Sequence, residues 1–120
     1  MAFMFEDPGV YRKSVDFVDQ VTDLTKGFPR GYYFLTDQLN RASLSIATNI
    51  AEGNGRFTKK DRKNFFIISC GSARECIPLM EIARRKGLIE ESAVSDFRNP
   101  LEVIAKMISG LIKGLDNRKA

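Results

Sequence analysis

The amino-acid sequence predicts an all-α fold, an up-down-up-down antiparallel four-helix bundle formed by residues 1–120 as a single domain. Three observations carry this expectation. Apolar residues recur at alternating spacings of three and four along four stretches, turn residues punctuate the gaps between them, and no stretch alternates apolar and polar residues as a half-buried strand would. Short connections between amphipathic helices make sequential neighbours antiparallel. A chain of 120 residues can bury roughly two-thirds of the surface its unfolded form exposes, so a cooperative core needs no disulfides.

The predicted helices cover approximately 8–26, 34–52, 58–86 and 92–116. In the first, Val10, Ser14, Phe17, Val21, Leu24 and Phe28 form a seam, with Pro8 near its start and Gly27 and Pro29 closing it. In the second, Leu35, Leu39, Ala42, Ile46, Asn49 and Gly53 share a stripe, so an amide stands where an apolar seam should continue. Gly53 and Gly55 are expected to stop this helix.

The third opens on Thr58 as N-cap and closes before Gly87. Phe66, Ser69, Ala73, Cys76, Met80 and Ala83 form its core stripe, and Phe65, Ile68, Ser72, Glu75, Leu79 and Ile82 form a second stripe beside it. Around residues 65–70 this helix is apolar on more faces than one bundle needs, which predicts burial against another copy. Pro78 in its interior should kink it, because the ring removes a backbone donor and crowds the carbonyl four residues back. The fourth helix carries Phe97, Leu101, Ile104, Ile108, Leu111 and Leu115, with Ser92 and Asn99 as rival caps and Pro100 as a first-turn proline or a second kink.

The inventory of reactive groups argues against an enzyme. The chain has no histidine, which removes Ser-His-Asp and Cys-His arrangements, the Glu-x-x-His metal motifs of di-iron bundles, and helical ribonucleases that pair an arginine with a downstream histidine. Asp16, Asp19 and Asp23 read as a solvated acidic face. Gly53-Asn54-Gly55 lacks the spacing and lysine of a phosphate-binding loop and follows a helix, not a strand. Cys70 and Cys76 point roughly 240° apart on one helix, so both read as small buried hydrophobes and not as a metal pair or disulfide. No catalytic residue, metal or cofactor is assigned. The first ten residues carry acid where a secretion signal would carry base, and uncharged runs such as 64–73 are far shorter than a membrane span, so a cytoplasmic protein is expected.

Charge is unevenly placed. The net charge is +4, yet residues 56–86 alone hold nine basic and three acidic side chains. Arg56, Lys59, Lys60, Arg62 and Lys63 are opposed locally only by Asp61, although lysines at a helix start oppose the helix dipole. A basic cluster of this kind is what binding to RNA or DNA needs, since affinity grows with the phosphates neutralised. These five residues are the candidate nucleic-acid-binding set. With the second turn centred near residue 55, Glu75 would lie level with about residue 36, close to Gln38, and Arg41 would stand roughly 7 Å further along the axis. Gln38, Arg41 and Glu75 are thus expected to form a buried polar network, with Asn49 deeper toward the turn, near Arg62, as an amide that fixes helix pairing.

At these residues the sequence resembles a known family. Phe28-Pro29, then Leu35-Thr36-Asp37-Gln38-Leu39-Asn40-Arg41-Ala42, Ser45-Ile46-Ala47-Thr48-Asn49-Ile50-Ala51-Glu52-Gly53 with Arg56, and Ser72-Ala73-Arg74-Glu75 are similar to the four-helix-bundle proteins encoded in intervening sequences of bacterial large-subunit ribosomal RNA genes. The resemblance implies an up-and-down bundle that assembles into a homopentamer. It also implies kinship with the accessory variability proteins of diversity-generating retroelements, basic pentamers that bind nucleic acid and partner a reverse transcriptase. For most of the family no biochemical activity is established. Pro78 and the modest net charge depart from that pattern. A protein-interaction scaffold without a nucleic-acid role is the alternative, carried by the apolar surplus on the third helix and the acidic face of the first.

Overall fold

The computed structural model describes residues 8–117. Residues 1–7, on which the reading of the N-terminus rests, and residues 118–120 lie outside the described residues. Four helices follow one another: α1 (Pro8–Thr25), α2 (Tyr33–Asn54), α3 (Lys59–Arg85) and α4 (Glu91–Asn117), with a single 3-10 turn at Arg30–Tyr32 leading into α2. Each helix packs on its neighbours in sequence and α4 returns to α1. The α2–α3 seam is the most extensive and α1–α4 the least, so the four helices close an antiparallel square. The bundle measures 51 × 25 × 19 Å.

The stripes read from the sequence make the core. Phe17, Phe66, Leu35, Leu39, Ile46, Ile50, Met80, Ile104 and Ile108 are among its fully buried side chains, and the Phe17 and Phe97 rings meet edge to face at 6.1 Å. The buried hydroxyls of α1 satisfy themselves locally. Ser14 Oγ donates to the Val10 carbonyl at 2.8 Å and Thr25 Oγ1 to that of Val21 at 3.0 Å, so burying them leaves no orphan group. Asn40 Nδ2 donates to Thr25 Oγ1 at 3.0 Å, which ties α2 to α1.

Helix ends show where sequence signals hold and where they mislead. Thr58 is in extended conformation and its side chain accepts from the Asp61 amide, an N-cap of the predicted kind. At the other end of α3, Gly87 has φ 75°, its amide donates to Arg84 O at 2.9 Å, and the Leu88 amide donates to Ala83 O at 3.0 Å. That pair of bonds is a Schellman motif, and a left-handed residue at its centre favours glycine.

Gly53, expected to stop α2, lies inside it. A Cβ at Gly53 would stand 2.5 Å from Phe66 Cε1, so the glycine serves close helix approach, and the chain leaves the helix only at Gly55. Pro78 stands inside a continuous α3 and Pro100 inside α4, neither as a first-turn residue. α4 begins at Glu91, ahead of both expected caps, with the Ala93 and Val94 amides donating to Glu90 O. Of the cysteines, Cys76 is buried and Cys70 only half so. Burial, with a smaller contribution from the Glu75 charge, pushes the Cys76 thiol up to about 12, which leaves it protonated and inert at neutral pH.

Candidate functional site

The outer side of the α2–α3 seam gathers most of the residues singled out above. Its register is set by two serines of α3. Ser69 Oγ donates to the Ile46 carbonyl at 2.8 Å in the buried layer, and Ser72 Oγ donates to Ser45 Oγ at 2.8 Å at the surface. Asn49 joins this cluster from one turn further along α2, where its Nδ2 donates to Ser45 O at 2.8 Å and to Ser45 Oγ at 3.0 Å. The amide therefore braces Ser45, and Ser45 makes the bond across the seam. Asn49 acts on helix pairing through a hydroxyl, not by reaching Arg62.

The expected buried network of Gln38, Arg41 and Glu75 does not form. All three side chains are exposed, and Arg41 pairs with Asp37 on its own helix at 3.1 Å. The reason is the length of α2. Because it continues through Gly53 to Asn54, the turn centre moves along the chain and the register of α3 shifts with it. With Ser45 facing Ser72, four residues back to Arg41 and three on to Glu75 bring those two level to within about 1.5 Å along the axis. Glu75 thus stands abreast of Arg41 on an open face without being joined to it. Leu44, Ile67, Ile68 and Ile82 lie exposed on the same two helices.

The basic cluster divides when its side chains are placed. Arg62 is a correction: it is only 5% exposed, with its guanidinium 6.0 Å from the Phe66 ring centroid, because the first turn of α3 is covered on the side where Phe66 enters the core. It belongs to the packing of the bundle and not to its surface. Lys63 Nζ is 2.8 Å from Asp116 Oδ1 near the end of α4. Arg56 is 2.9 Å from Glu52 and lies with its guanidinium 4.7 Å from the Phe65 ring centroid, a cation–π contact that fixes its position. Lys59 and Lys60 are exposed in the first turn of α3, and Phe57, in the turn just before it, is 91% exposed.

The sequence contained a signal for the Arg56–Glu52 pair, since the two residues are four apart across the end of α2. Lys63 and Asp116 are 53 residues apart, and only the closure of the bundle brings them together. Phe57 carries no signal of its exposure in the sequence, because nothing in a helical periodicity marks a turn residue as exposed.

A second cluster of charge sits at the opposite end of α3. Arg84 donates to Glu81 through Nε at 2.9 Å and through NH2 at 2.7 Å, and Arg85 Nε adds a third bond at 3.4 Å. The hydrogen bond from Arg84 is the main cause that holds the Glu81 carboxyl down to about 2, and the same bond raises the Arg84 guanidinium. Beside it lies an open groove of about 410 Å³ between α3 and α4, flanked by Arg84, Arg98, Glu81 and Glu91, in which the charges of the two signs balance. Among the described residues no group of three or more His, Cys, Asp or Glu side chains is placed to hold a metal, and no helix is long and apolar enough to cross a membrane.

Comparison with known proteins agrees with this architecture. A solved structure of a protein of unknown function from the S23 ribosomal protein family of Bacteroides thetaiotaomicron superposes with a TM-score of 0.82, at 24% sequence identity, covering 88% of this chain and 96% of that one. At that identity the likeness is one of fold. No functionally curated protein matches the chain. The family model described as 23S rRNA-intervening sequence protein matches residues 6–110, which take in the seam, the basic turn and nearly all of the four helices. The chain belongs to the 23S rRNA-intervening sequence protein family.

Proposed function

We propose that the protein is a non-enzymatic, oligomeric accessory protein whose α2–α3 end binds RNA or DNA. The observation that carries the reading is that exposed cations and an exposed aromatic ring share one end of the molecule. Lys59 and Lys60 are exposed there beside Arg56, whereas Arg84 and Arg85 at the other end are both held by Glu81. Lys63, half-buried and paired with Asp116, adds to the edge of the patch.

Assembly is the second part of the reading. The exposed Leu44, Ile67, Ile68 and Ile82, with Arg41 and Glu75 abreast among them, give α2 and α3 an outer surface of mixed apolar and charged character suited to another copy of the chain. A homopentamer is the assembly that the sequence resemblance implies. Two well-exposed lysines per chain make a weak site, but five copies on one ring would multiply it by avidity. The same surface favours a protein scaffold as a second reading, in which the ring docks a protein such as a reverse transcriptase and the charge serves only solubility.

Oligonucleotide binding at rising salt separates the two. The accessory-binder reading expects affinity to fall steeply with salt, and expects reversal of charge at Lys59, Lys60 and Lys63 to abolish binding with the assembly intact. Binding that is flat in salt, or that survives the reversal, contradicts it.

A further inference from the structure

We propose that Phe57 is a base-stacking residue, so that the nucleic acid this end takes is single-stranded. The inference rests on the nucleic-acid reading above and narrows it to unpaired bases. Phe57 is the most exposed large apolar side chain among the described residues, at 91%. Exposure alone would say little, because single apolar side chains on a surface are ordinary. Its setting is what distinguishes it.

Phe57 stands in the turn between Arg56 and the first-turn lysines Lys59 and Lys60, so an aromatic face and three cations share five consecutive positions. Nucleic-acid phosphates and bases alternate on the same scale. A groove that binds single strands combines cations that follow the backbone with aromatic rings on which bases stack.

The position is also held from both sides. Before it, the Gly55 amide donates to Ala51 O at 3.1 Å and the Arg56 amide to Gly53 O at 3.3 Å. After it, Thr58 is fixed in extended conformation by its capping bond to Asp61. Arg56 is itself clamped by Glu52 and the Phe65 ring. The ring of Phe57 is therefore presented on a constrained backbone, which lowers the ordering cost that a flexible loop would incur on binding. A duplex keeps its base faces stacked internally and offers such a ring only backbone. An unpaired base offers a free π-face.

The test uses the full-length chain, a labelled oligo(dT) of about twenty nucleotides and a duplex of equal length, read by fluorescence anisotropy. Phe57→Ala should weaken oligo(dT) binding roughly tenfold while the salt-sensitive binding of duplex is unchanged. Phe57→Trp should retain affinity. The chain contains no tryptophan, so the new indole is a unique reporter, and its fluorescence should be quenched as oligo(dT) is added. If wild type binds oligo(dT) and Phe57→Ala binds it equally well, or loses oligo(dT) and duplex to the same extent, the stacking role is overturned and the electrostatic reading stands. A Phe57→Ala protein of altered mass in light scattering overturns it differently, by assigning the ring to contact with another copy. Wild type that binds neither probe removes the nucleic-acid reading itself, and this proposal with it.

Discussion

The two ends of α3 carry similar numbers of basic residues and present very different surfaces. At the C-terminal end Arg84 and Arg85 converge on Glu81, which holds them in a shared set of charge-assisted bonds within one helical turn. At the N-terminal end Arg62 turns inward against Phe66, Arg56 and Lys63 pair with carboxylates on other turns or helices, and Lys59 and Lys60 are exposed. Counted along the sequence the two ends look alike. Placed in space, one end gathers its two arginines on a single carboxylate, with Lys86 exposed beside them, and the other sets its cations next to an exposed aromatic ring. What stands beside the cations distinguishes the two ends more than the number of cations does.

The sharpest way to break the comparison is to disturb the packing beneath the cationic end. Gly53→Ala would place a methyl within van der Waals radii of the fully buried Phe66 ring, which cannot swing away without displacing core neighbours. A destabilisation of about 1–3 kcal/mol is expected, read as a lower denaturant midpoint at unchanged slope. Gly71→Ala is the control, because a Cβ there meets nothing within 4 Å, and it should stabilise by roughly 0.5–1 kcal/mol through helix propensity.

Next in size, the two ends are compared directly by charge reversal. Lys59→Glu with Lys60→Glu should lower oligonucleotide affinity by on the order of tenfold or more at low salt and flatten the salt dependence. Arg85→Glu with Lys86→Glu at the other end of α3, an equal change of charge, should change affinity several-fold less. Equal losses from the two ends would mean that only total charge matters.

A smaller effect tests the cap at the C-terminal end of α3. Gly87→Ala forces a methyl-bearing residue to φ 75° and should cost about 1 kcal/mol, measured by thermal or urea unfolding.

The smallest concerns pH. Glu81 has a folded-state value depressed from 4.5 to about 2. Its contribution to stability is therefore fully present above about 4.5 and is lost as pH falls toward 2. The side chain is 43% exposed, so the contribution is modest. Glu81→Gln should make the stability profile measurably flatter between those two values and leave it unchanged in shape above pH 5.

Much of this fold was legible in the sequence because helical periodicity and end signals are local. The core stripe of α3 from Phe66 to Ala83 is buried throughout, and Thr58 and Gly87 do at its ends what their residue types suggest. What failed was whatever depended on distance. Gly53 and Gly55 look equivalent as stops, and only the position of Phe66 reveals that the first is a contact and the second an exit. That single ambiguity moved the expected register and, with it, the expected network of Gln38, Arg41 and Glu75. The candidate site was legible as a run of charge but not as a surface, because burial of Arg62 and pairing of Lys63 with Asp116 depend on packing between elements remote in sequence. Asn49 lay between the two cases. Its polarity in an apolar seam marked it as structural, yet its partner proved to be Ser45 one turn away.

The measurement that bears most directly on the central claim is light scattering of the size-exclusion-purified protein, with and without nuclease treatment, recording mass and the ratio of absorbance at 260 to 280 nm. The account predicts a mass several times the 13.5 kDa of one chain, with nucleic acid that nuclease removes. A clean particle of one chain's mass, with no nucleic acid in either sample, would contradict both the assembly and the binding.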